Sequence, residues 1–283
     1  MAMSYHRDHV LPSKMNRVAL ITGGGRGLGR AFAVALAKNR LDVAVASRNP
    51  EELNATIALL RAEQVRCVAI PTDVTNDVAV RRMVSVTQEQ LGPISLLVNA
   101  AGVGAPFGPM WETDSDEWWR NVEVNLKGTM LCCKEVVTGM IARRQGRIIN
   151  VASGAGTVSI PYMSAYVTSK AAVIRFTEVF ADEVRQHGVS VFAIQPGTVR
   201  TAMAEQLMQS ESGKRWLPWF KKIFDENRDD SSLQGENLVL YLASGKADAL
   251  SGRFFAAPGA PDNVIERVEE ILKDDRNVLR MRP

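Results

Sequence analysis

Short apolar runs alternate with longer amphipathic segments along most of this chain. The apolar runs predict buried strands, and the segments between them carry the helical period. The predicted strands are Arg17–Thr22, Asp42–Ser47, Val65–Ile70, Ile94–Val98, Arg147–Ala152 and Val189–Ile194. The predicted helices are Leu28–Asn39, one that begins at Asn49-Pro50-Glu51-Glu52, Asp77–Gln90, Ser115–Met140 and Ser164–His187. Strands that alternate with helices favour a parallel sheet, so we expect an α/β fold: a doubly wound parallel sheet with helices on both faces.

This alternation predicts one domain with two extensions. We assign residues 16–258 to the domain, residues 1–15 to a flexible leader and residues 259–283 to a C-terminal helical tail. In the tail, Asp262 can cap a helix whose apolar face carries Val264, Val268, Ile271 and Leu272. We expect this face to pack on the domain or on a neighbouring subunit. Closure of a substrate pocket is the alternative.

Residues 201–230 interrupt the alternating pattern. Aromatic and basic residues are mixed from Gly213 to Lys222, and acidic residues follow from Asp225 to Asp230. Such a long irregular segment favours a lid over an apolar pocket, with its charges facing water. A surface for membranes or acidic ligands is the alternative interpretation.

Composition and charge narrow the classes of function. The chain has 283 residues, 46% of them hydrophobic, and a net charge of +3 from 34 basic and 31 acidic residues. This balance gives no reason to expect nucleic acid as a partner. The absence of any apolar run of about 18 residues argues against a transmembrane helix. The leader also lacks the apolar core of a secretory signal, so we expect a cytoplasmic protein.

Cysteine and histidine are too scarce for several common chemistries. Cys67, Cys132 and Cys133 lie in apolar segments and are predicted to be buried free thiols. Of the three histidines, two lie in the leader and His187 lies near a helix end. A Ser-His-Asp hydrolase or a histidine-based metal site is therefore not expected.

A glycine-rich turn follows the first predicted strand and opens the first helix. Its spacing is Gly23-x-x-x-Gly27-x-Gly29. Glycines in this position let the backbone approach a pyrophosphate, which the free N–H groups of a helix N-terminus stabilise. The sequence thus predicts a dinucleotide site at this turn.

The end of the second predicted strand should contact the adenosine ribose. An NAD site would place a carboxylate there, whereas this chain has Ser47 and Arg48, with Arg26 in the glycine-rich turn. Guanidinium groups suit a 2′-phosphate. We therefore predict NADP(H); two solvated arginines are the alternative.

Tyr166 and Lys170 share one face of a predicted helix, and Ser153 precedes them. A free tyrosine has a pKa of about 10, and a fixed cation nearby favours the phenolate and lowers that value. Lowering it to about 7 takes roughly 4 kcal/mol. Taken alone, the pair also fits an exposed tyrosine and lysine with no catalytic role.

In order and spacing, these residues resemble the short-chain dehydrogenase/reductase family from about Arg17 to Phe255. The matching motifs are Thr22-Gly23-x-x-x-Gly27-x-Gly29, Asp73-Val74, Asn99-Ala100-Ala101-Gly102, Asn125, Ser153, Tyr166-x-x-x-Lys170 and Pro196-Gly197. The resemblance implies a Rossmann fold and hydride transfer with Tyr166 as general acid or base. It implies that Ser153 bonds the substrate oxygen, that Lys170 binds the nicotinamide ribose and lowers the pKa of Tyr166, and that Asn125 anchors a proton-relay water. It also implies that Asp73 contacts the adenine and that Asn99 braces the sheet.

The resemblance also implies the cofactor contacts. They are expected from Thr22, Gly23, Gly25, Arg26, Gly27, Leu28, Gly29, Ser47, Arg48, Asp73, Val74, Asn99, Ala100, Gly102, Tyr166, Lys170, Pro196, Gly197, Val199 and Thr201. The predicted function is NADPH-dependent reduction of an apolar ketone or aldehyde, or the reverse oxidation of a secondary alcohol, in a homodimer or homotetramer. The alternative is a redox sensor or scaffold that binds NADP without turnover.

Overall fold

Seven parallel strands form the central sheet in a computed structural model, which describes residues 17–258 and 268–280. The strands are β1 (Val18–Thr22), β2 (Asp42–Ser47), β3 (Cys67–Pro71), β4 (Ile94–Asn99), β5 (Gly146–Val151), β6 (Val189–Gln195) and β7 (Phe254–Ala256). Their order is β3-β2-β1-β4-β5-β6-β7. The predicted doubly wound parallel sheet is confirmed. Strands β1 to β3 are added toward one edge of the sheet and β4 to β7 toward the other, so the order of strands switches between β1 and β4. Folds of this kind bind ligands at that switch point.

Helices cover both faces of the sheet. They are α1 (Gly27–Lys38), α2 (Pro50–Ala62), α3 (Asp77–Leu91), α4 (Ser115–Val122), α5 (Gly128–Arg143), α6 (Ser164–Val184), α7 (Ala202–Gln209), α8 (Glu211–Trp216), α9 (Pro218–Asp225) and α10 (Ser232–Ala243). The single helix predicted over Ser115–Met140 is wrong in one respect, because a π-helical turn at Glu123–Lys127 separates α4 from α5. Such turns insert an extra residue and are frequent at functional sites.

Two apolar clusters form the core, one on each face of the sheet. Because side chains alternate along a strand, Ala19 and Ile21 of β1 join one cluster, and Val18 and Leu20 join the other. All five residues of β1 are buried. This two-sided burial explains why the predicted strands are continuous apolar runs rather than alternating ones.

The C-terminal part of the chain adds one helix and one strand that the sequence analysis did not identify. Helix α10 packs against α1, and β7 extends the sheet beyond β6. In the predicted C-terminal tail, the helix Val268–Lys273 buries Ile271 in the same core cluster as α1. Leu272 of the predicted apolar face is 44% exposed. Asp262 and Val264 lie outside the described residues, as does the predicted leader.

Candidate active site

A cleft of about 720 Å³ opens at the carboxyl ends of the central strands. The glycine-rich turn, the end of β2 and the loop Pro196–Val199 line it, as do Ser153, Tyr166 and Lys170. Residues from α7 and α9 line its other side. Most residues predicted from separate motifs therefore share one cleft at the topological switch point.

The glycine-rich turn is shaped to bring backbone close to a ligand. Gly23 and Gly27 have φ of +67° and +52°, where residues with a Cβ are disfavoured. A Cβ on Gly29 would overlap the carbonyl oxygen of Gly23. Within the described residues, no side chain caps α1 and its first turn has no acid, whereas Asn49 caps α2 and Asn76 caps α3. The free N–H groups and positive end of α1 thus suit an anionic pyrophosphate.

Two residues that the sequence analysis missed brace this turn. The Thr56 hydroxyl lies 3.0 Å from the Gly24 carbonyl oxygen. The Arg30 guanidinium donates to the Gly25 carbonyl oxygen and, through Nε at 3.0 Å, to Thr56 Oγ1. A basic residue in the first turn of a helix opposes the helix dipole. That placement was the signal from which a bracing role for Arg30 could have been recognised.

The expected ribose end of the cleft contains both arginines and one unexpected carboxylate. Ser47, Arg48 and Arg26 line the cleft. Glu52 of α2 lines it too, and its Oε1 lies 3.1 Å from Arg26 Nη1. The sequence analysis looked for a carboxylate only at the end of β2. In the structure, a carboxylate reaches this end of the cleft from helix α2 instead.

Asp73 lies at the edge of the cleft beside Val74. Its carboxylate accepts hydrogen bonds from the Thr75 amide at 2.9 Å, the Thr75 hydroxyl at 2.7 Å and Arg120 Nη2 at 3.0 Å. Burial alone would raise the pKa of Asp73, but these bonds outweigh it and hold the pKa below its ordinary value. Asp73 is thus a fixed anion.

Ser153, Tyr166 and Lys170 converge on one wall of the cleft. Ser153 follows β5 and caps a short 3₁₀ turn, accepting from the Ala155 amide at 3.2 Å. The Tyr166 hydroxyl, in the first turn of α6, lies close enough to the Ser153 side chain for the serine to favour the phenolate. Lys170 Nζ donates to the Val151 carbonyl oxygen at 2.8 Å and lies 5.7 Å from the centre of the Tyr166 ring. The three residues that the sequence motif separates along the chain thus lie next to each other in the fold, and each carries a proton that it can donate.

Burial governs the pKa values of this wall. It raises the pKa of Tyr166 above its ordinary value, against the opposing effect of the Ser153 side chain. It lowers the pKa of Lys170 to about 8. The sequence argument expected Lys170 to lower the pKa of Tyr166, and the direction here is the opposite. The reason is that the tyrosine is desolvated, and the lysine ammonium is bonded to a backbone carbonyl.

Asn125 lies behind the cleft wall, in the π-helical turn, and is 1% exposed. Its Oδ1 accepts from the Val103 amide at 2.9 Å, and its Nδ2 donates to Asn121 Oδ1 at 2.9 Å and to Ser169 Oγ at 3.0 Å. Asn121 is itself fully buried and donates to the carbonyl oxygens of Val103, Gly104 and Ala105. The sequence analysis missed Asn121 and Ser169. Their signals were the i, i+4 spacing of two asparagines and a serine next to Lys170.

Thr22 and Asn99, both predicted as cofactor contacts, do not line the cleft. Asn99 is 2% exposed, and its Nδ2 donates to Asn150 Oδ1 at 2.9 Å, which joins β4 to β5. The Thr22 hydroxyl accepts from the Ala101 amide at 3.3 Å. Both hold the strand ends together, as expected for Asn99 as a brace. The remaining predicted contacts, Leu28, Ala100, Gly102, Pro196, Gly197, Val199 and Thr201, line the cleft.

The side of the cleft that faces Tyr166 is apolar. Its walls include Phe107, Val158, Ile160, Met163, Leu207 and Phe220. Leu207 and Phe220 belong to the segment predicted as a lid, which forms α7, α8 and α9. Some charges of the lid pair with each other, as Lys221 does with Asp225 and Arg228 with Glu226. An uncharged substrate surface fits this side.

The comparison with known families agrees with this geometry. A family model described as short chain dehydrogenase matches residues 17–212. This chain belongs to the short-chain dehydrogenase/reductase family. The Bacillus subtilis 2,3-dihydro-2,3-dihydroxybenzoate dehydrogenase is 32% identical over 236 residues, which cover 82% of this chain and 90% of that enzyme. The predicted resemblance is confirmed, and membership makes the protein an oxidoreductase that acts on alcohol or carbonyl groups with a nicotinamide cofactor.

Solved structures of short-chain dehydrogenases share the fold. A crystal structure of NAD⁺-bound xylitol dehydrogenase matches with a TM-score of 0.78 and 28% identity, covering 85% of this chain and 97% of that one. A variant of actinorhodin polyketide ketoreductase with NADPH matches with a TM-score of 0.77 and 28% identity, covering 86% and 97%. Similar structures therefore hold either cofactor, and the likeness alone does not choose between them.

Neither a metal-binding cluster nor a membrane-spanning helix is found in the part of the chain that the structure describes, residues 17–258 and 268–280. No group of three His, Cys, Asp or Glu residues among them is arranged to hold a metal ion. No helix in residues 17–258 and 268–280 is long and apolar enough to cross a membrane.

Proposed function

We propose that this protein reduces an apolar ketone or aldehyde with NADPH, or oxidises the corresponding secondary alcohol in reverse. The observation that carries the proposal is that Ser153, Tyr166 and Lys170 line one cleft, with Lys170 Nζ 5.7 Å from the centre of the Tyr166 ring. This arrangement offers a proton donor and a second hydrogen-bond donor to one substrate oxygen.

The proposed roles follow from the chemistry of each side chain. The bound nicotinamide supplies or accepts the hydride. Tyr166 gives its proton to the carbonyl oxygen, and the Ser153 hydroxyl stabilises that oxygen as it gains negative charge. Lys170 lines the same cleft, with its Nζ 5.7 Å from the centre of the Tyr166 ring, and would be a candidate donor to the ribose of a bound nicotinamide cofactor. The raised pKa of Tyr166 keeps its proton in place at neutral pH, which favours reduction. Oxidation would require the phenolate and should accelerate as the pH rises.

The cleft suits a dinucleotide, and its basic end supports NADP(H). The uncapped start of α1 and the close packing of Gly29 on Gly23 fit the pyrophosphate. Ser47, Arg48 and Arg26 supply a hydroxyl and two guanidinium groups for a 2′-phosphate. The same cleft contains Tyr166, so the proposed cofactor and the proton donor share one space.

We also propose a cytoplasmic homo-oligomer, either a dimer or a tetramer. A groove outside the cleft supports self-association, because its apolar surface is formed by residues that include Trp119, Leu126, Met130 and Phe176, with Glu123, Lys127 and Arg175 also in its lining. Trp119 is 62% exposed. Exposed apolar patches of this kind mark interaction surfaces.

The test of the proposed reaction is Tyr166→Phe. We expect NADPH oxidation over a panel of ketones graded by size and polarity to fall about 10²–10⁴-fold, the contribution of proton transfer by a positioned side chain. NADPH binding, followed by fluorescence, should change little. Tyr162→Phe is the matched control, because Tyr162 is 37% exposed and packs against Trp216, with the two ring centroids 4.7 Å apart. Near-normal turnover by Tyr166→Phe would contradict the mechanism. Tight NADPH binding without turnover of any ketone by the unmodified protein would favour the sensor or scaffold.

A further inference from the structure

The carboxylate of Glu52 lies at the end of the cleft where the sequence predicts a 2′-phosphate. We propose that Glu52 is a cofactor-discriminating residue that weakens NADP(H) binding and favours a ribose with a free 2′-hydroxyl. The proposal rests on the proposed function for the identity of the ligand. It concerns the strength of the NADP(H) preference, not the hydride chemistry.

The geometry places Glu52 among the groups that would recognise the phosphate. Its Oε1 lies 3.1 Å from Arg26 Nη1. A Cβ added at Gly25 would lie 2.6 Å from Ser47 Oγ and 3.4 Å from Glu52 Oε2. Gly25 therefore leaves a space bordered by the serine hydroxyl and the carboxylate, and both residues line the cleft.

Hydrogen bonds hold the backbone of Glu52 in place, and this limits the positions that its carboxylate can reach. Glu52 is in the first turn of α2, where its amide donates to Asn49 Oδ1 at 3.2 Å. Its carbonyl oxygen accepts from Arg30 Nη2 at 3.2 Å. Because Arg30 also bonds the Gly25 carbonyl oxygen, Glu52 is tied to the glycine-rich turn itself.

The charge of Glu52 is expected to affect the binding of NADP(H) and NAD(H) differently. A 2′-phosphate seeks guanidinium donors, but Arg26 already pairs with Glu52, and the carboxylate repels a second anion. Arg48 is exposed and has no carboxylate partner within the described residues, so it stays free to bind the phosphate. A 2′-hydroxyl is instead a donor that a carboxylate can accept. Glu52 therefore opposes the preference that the two arginines create.

The test is Glu52→Gln, which keeps the size of the side chain and removes its charge. Dissociation constants for NADPH, NADH and adenosine 2′,5′-bisphosphate would be measured by calorimetry at low salt. We expect NADPH and the bisphosphate to bind about two- to fivefold tighter, as for the loss of one partly exposed ionic interaction, while NADH binds equally or more weakly. The gain should shrink at about 0.5 M salt, where exposed charges are screened.

Glu51→Gln is the matched control, because Glu51 lies in the same first turn of α2 but is exposed and does not line the cleft. An unchanged ratio of NADPH to NADH affinity in Glu52→Gln would overturn the proposal. An equal shift in Glu51→Gln would overturn it as well, since that result would indicate a general charge effect. Loss of the proposed reaction is a separate result, because failure to reduce any ketone leaves these affinities measurable.

Discussion

The wall of the cleft that carries Tyr166 and the lid that faces it are held by different interactions. Behind the wall, Asn121, Asn125 and Ser169 are buried and bond to each other and to loop carbonyl groups. The lid consists of three short helices that hold their position mainly through apolar contacts, such as Leu207 with Met163. Buried polar networks specify one geometry, whereas apolar contacts tolerate rearrangement. We infer that the wall fixes the chemistry and the lid sets substrate selectivity.

The largest effect expected from this contrast is a pH-dependent cost of burying Lys170. Its pKa falls from 10.5 to about 8 in the folded protein, so between these values the unfolded chain binds more protons. Stability should therefore rise with pH across this window, and the full cost is present below pH 8. Relative to Lys170→Met, the free energy of unfolding should gain roughly 3 kcal/mol between about pH 8 and 10.5.

Urea unfolding from pH 7 to about 9.5 would measure most of this change. The upper limit keeps the measurement below the pH at which Tyr166 ionises. Because the pKa of Tyr166 is raised in the folded protein, its contribution to stability is lost only as the pH rises past the ordinary tyrosine pKa of about 10. Lys134→Met is the control, because Lys134 is exposed on α5. Parallel curves for the unmodified protein and Lys170→Met would show that Lys170 is not held as a desolvated cation.

A smaller loss is expected when the network behind the wall is opened. Asn121→Ala removes the donor to three loop carbonyl groups and the acceptor for Asn125 and Ser169. Each buried group left without a partner costs about 1–3 kcal/mol, and partial relaxation should leave a net loss of about 2–3 kcal/mol. Urea unfolding would measure it, with Asn54→Ala on the exposed face of α2 as the control. If both variants unfold alike, the network does not fix the wall.

The sequence predicted the wall far better than it predicted what supports it. Tyr166, Lys170 and Ser153 were identified because their chemistry requires those residue types at fixed positions in the chain. Asn121 was not identified, because its partners are loop carbonyl groups, which any sequence can supply. The only sign of its role in the sequence is its i, i+4 spacing from Asn125. The π-helical turn was not predicted for a related reason. One extra residue in a turn changes the apolar pattern of Ser115–Met140 too little to be recognised in the sequence.

Tertiary contacts decided the features that the sequence analysis predicted least well. The raised pKa of Tyr166 depends on burial, which a motif does not encode. Glu52 reaches the ribose end through the packing of α2 against the glycine-rich turn, and only the strand end was considered from the sequence. The predicted lid is the intermediate case, because its aromatic residues indicated an apolar pocket and its three helices were not predicted.

The smallest expected effect concerns the lid, and it tests whether selectivity lies there. Phe220 lines the cleft and belongs to both apolar clusters of the lid, with its ring 5.4 Å from that of Phe224. In Phe220→Ala, KM for bulky apolar ketones should rise about tenfold, as expected for losing apolar contact in a substrate pocket, while small ketones are hardly affected. Leu233→Ala is the control, because Leu233 is 53% exposed and lies outside the cleft. An equal fall in kcat for every ketone would instead indicate that the lid helps to position Tyr166, and the division between a chemical wall and a selective lid would be wrong.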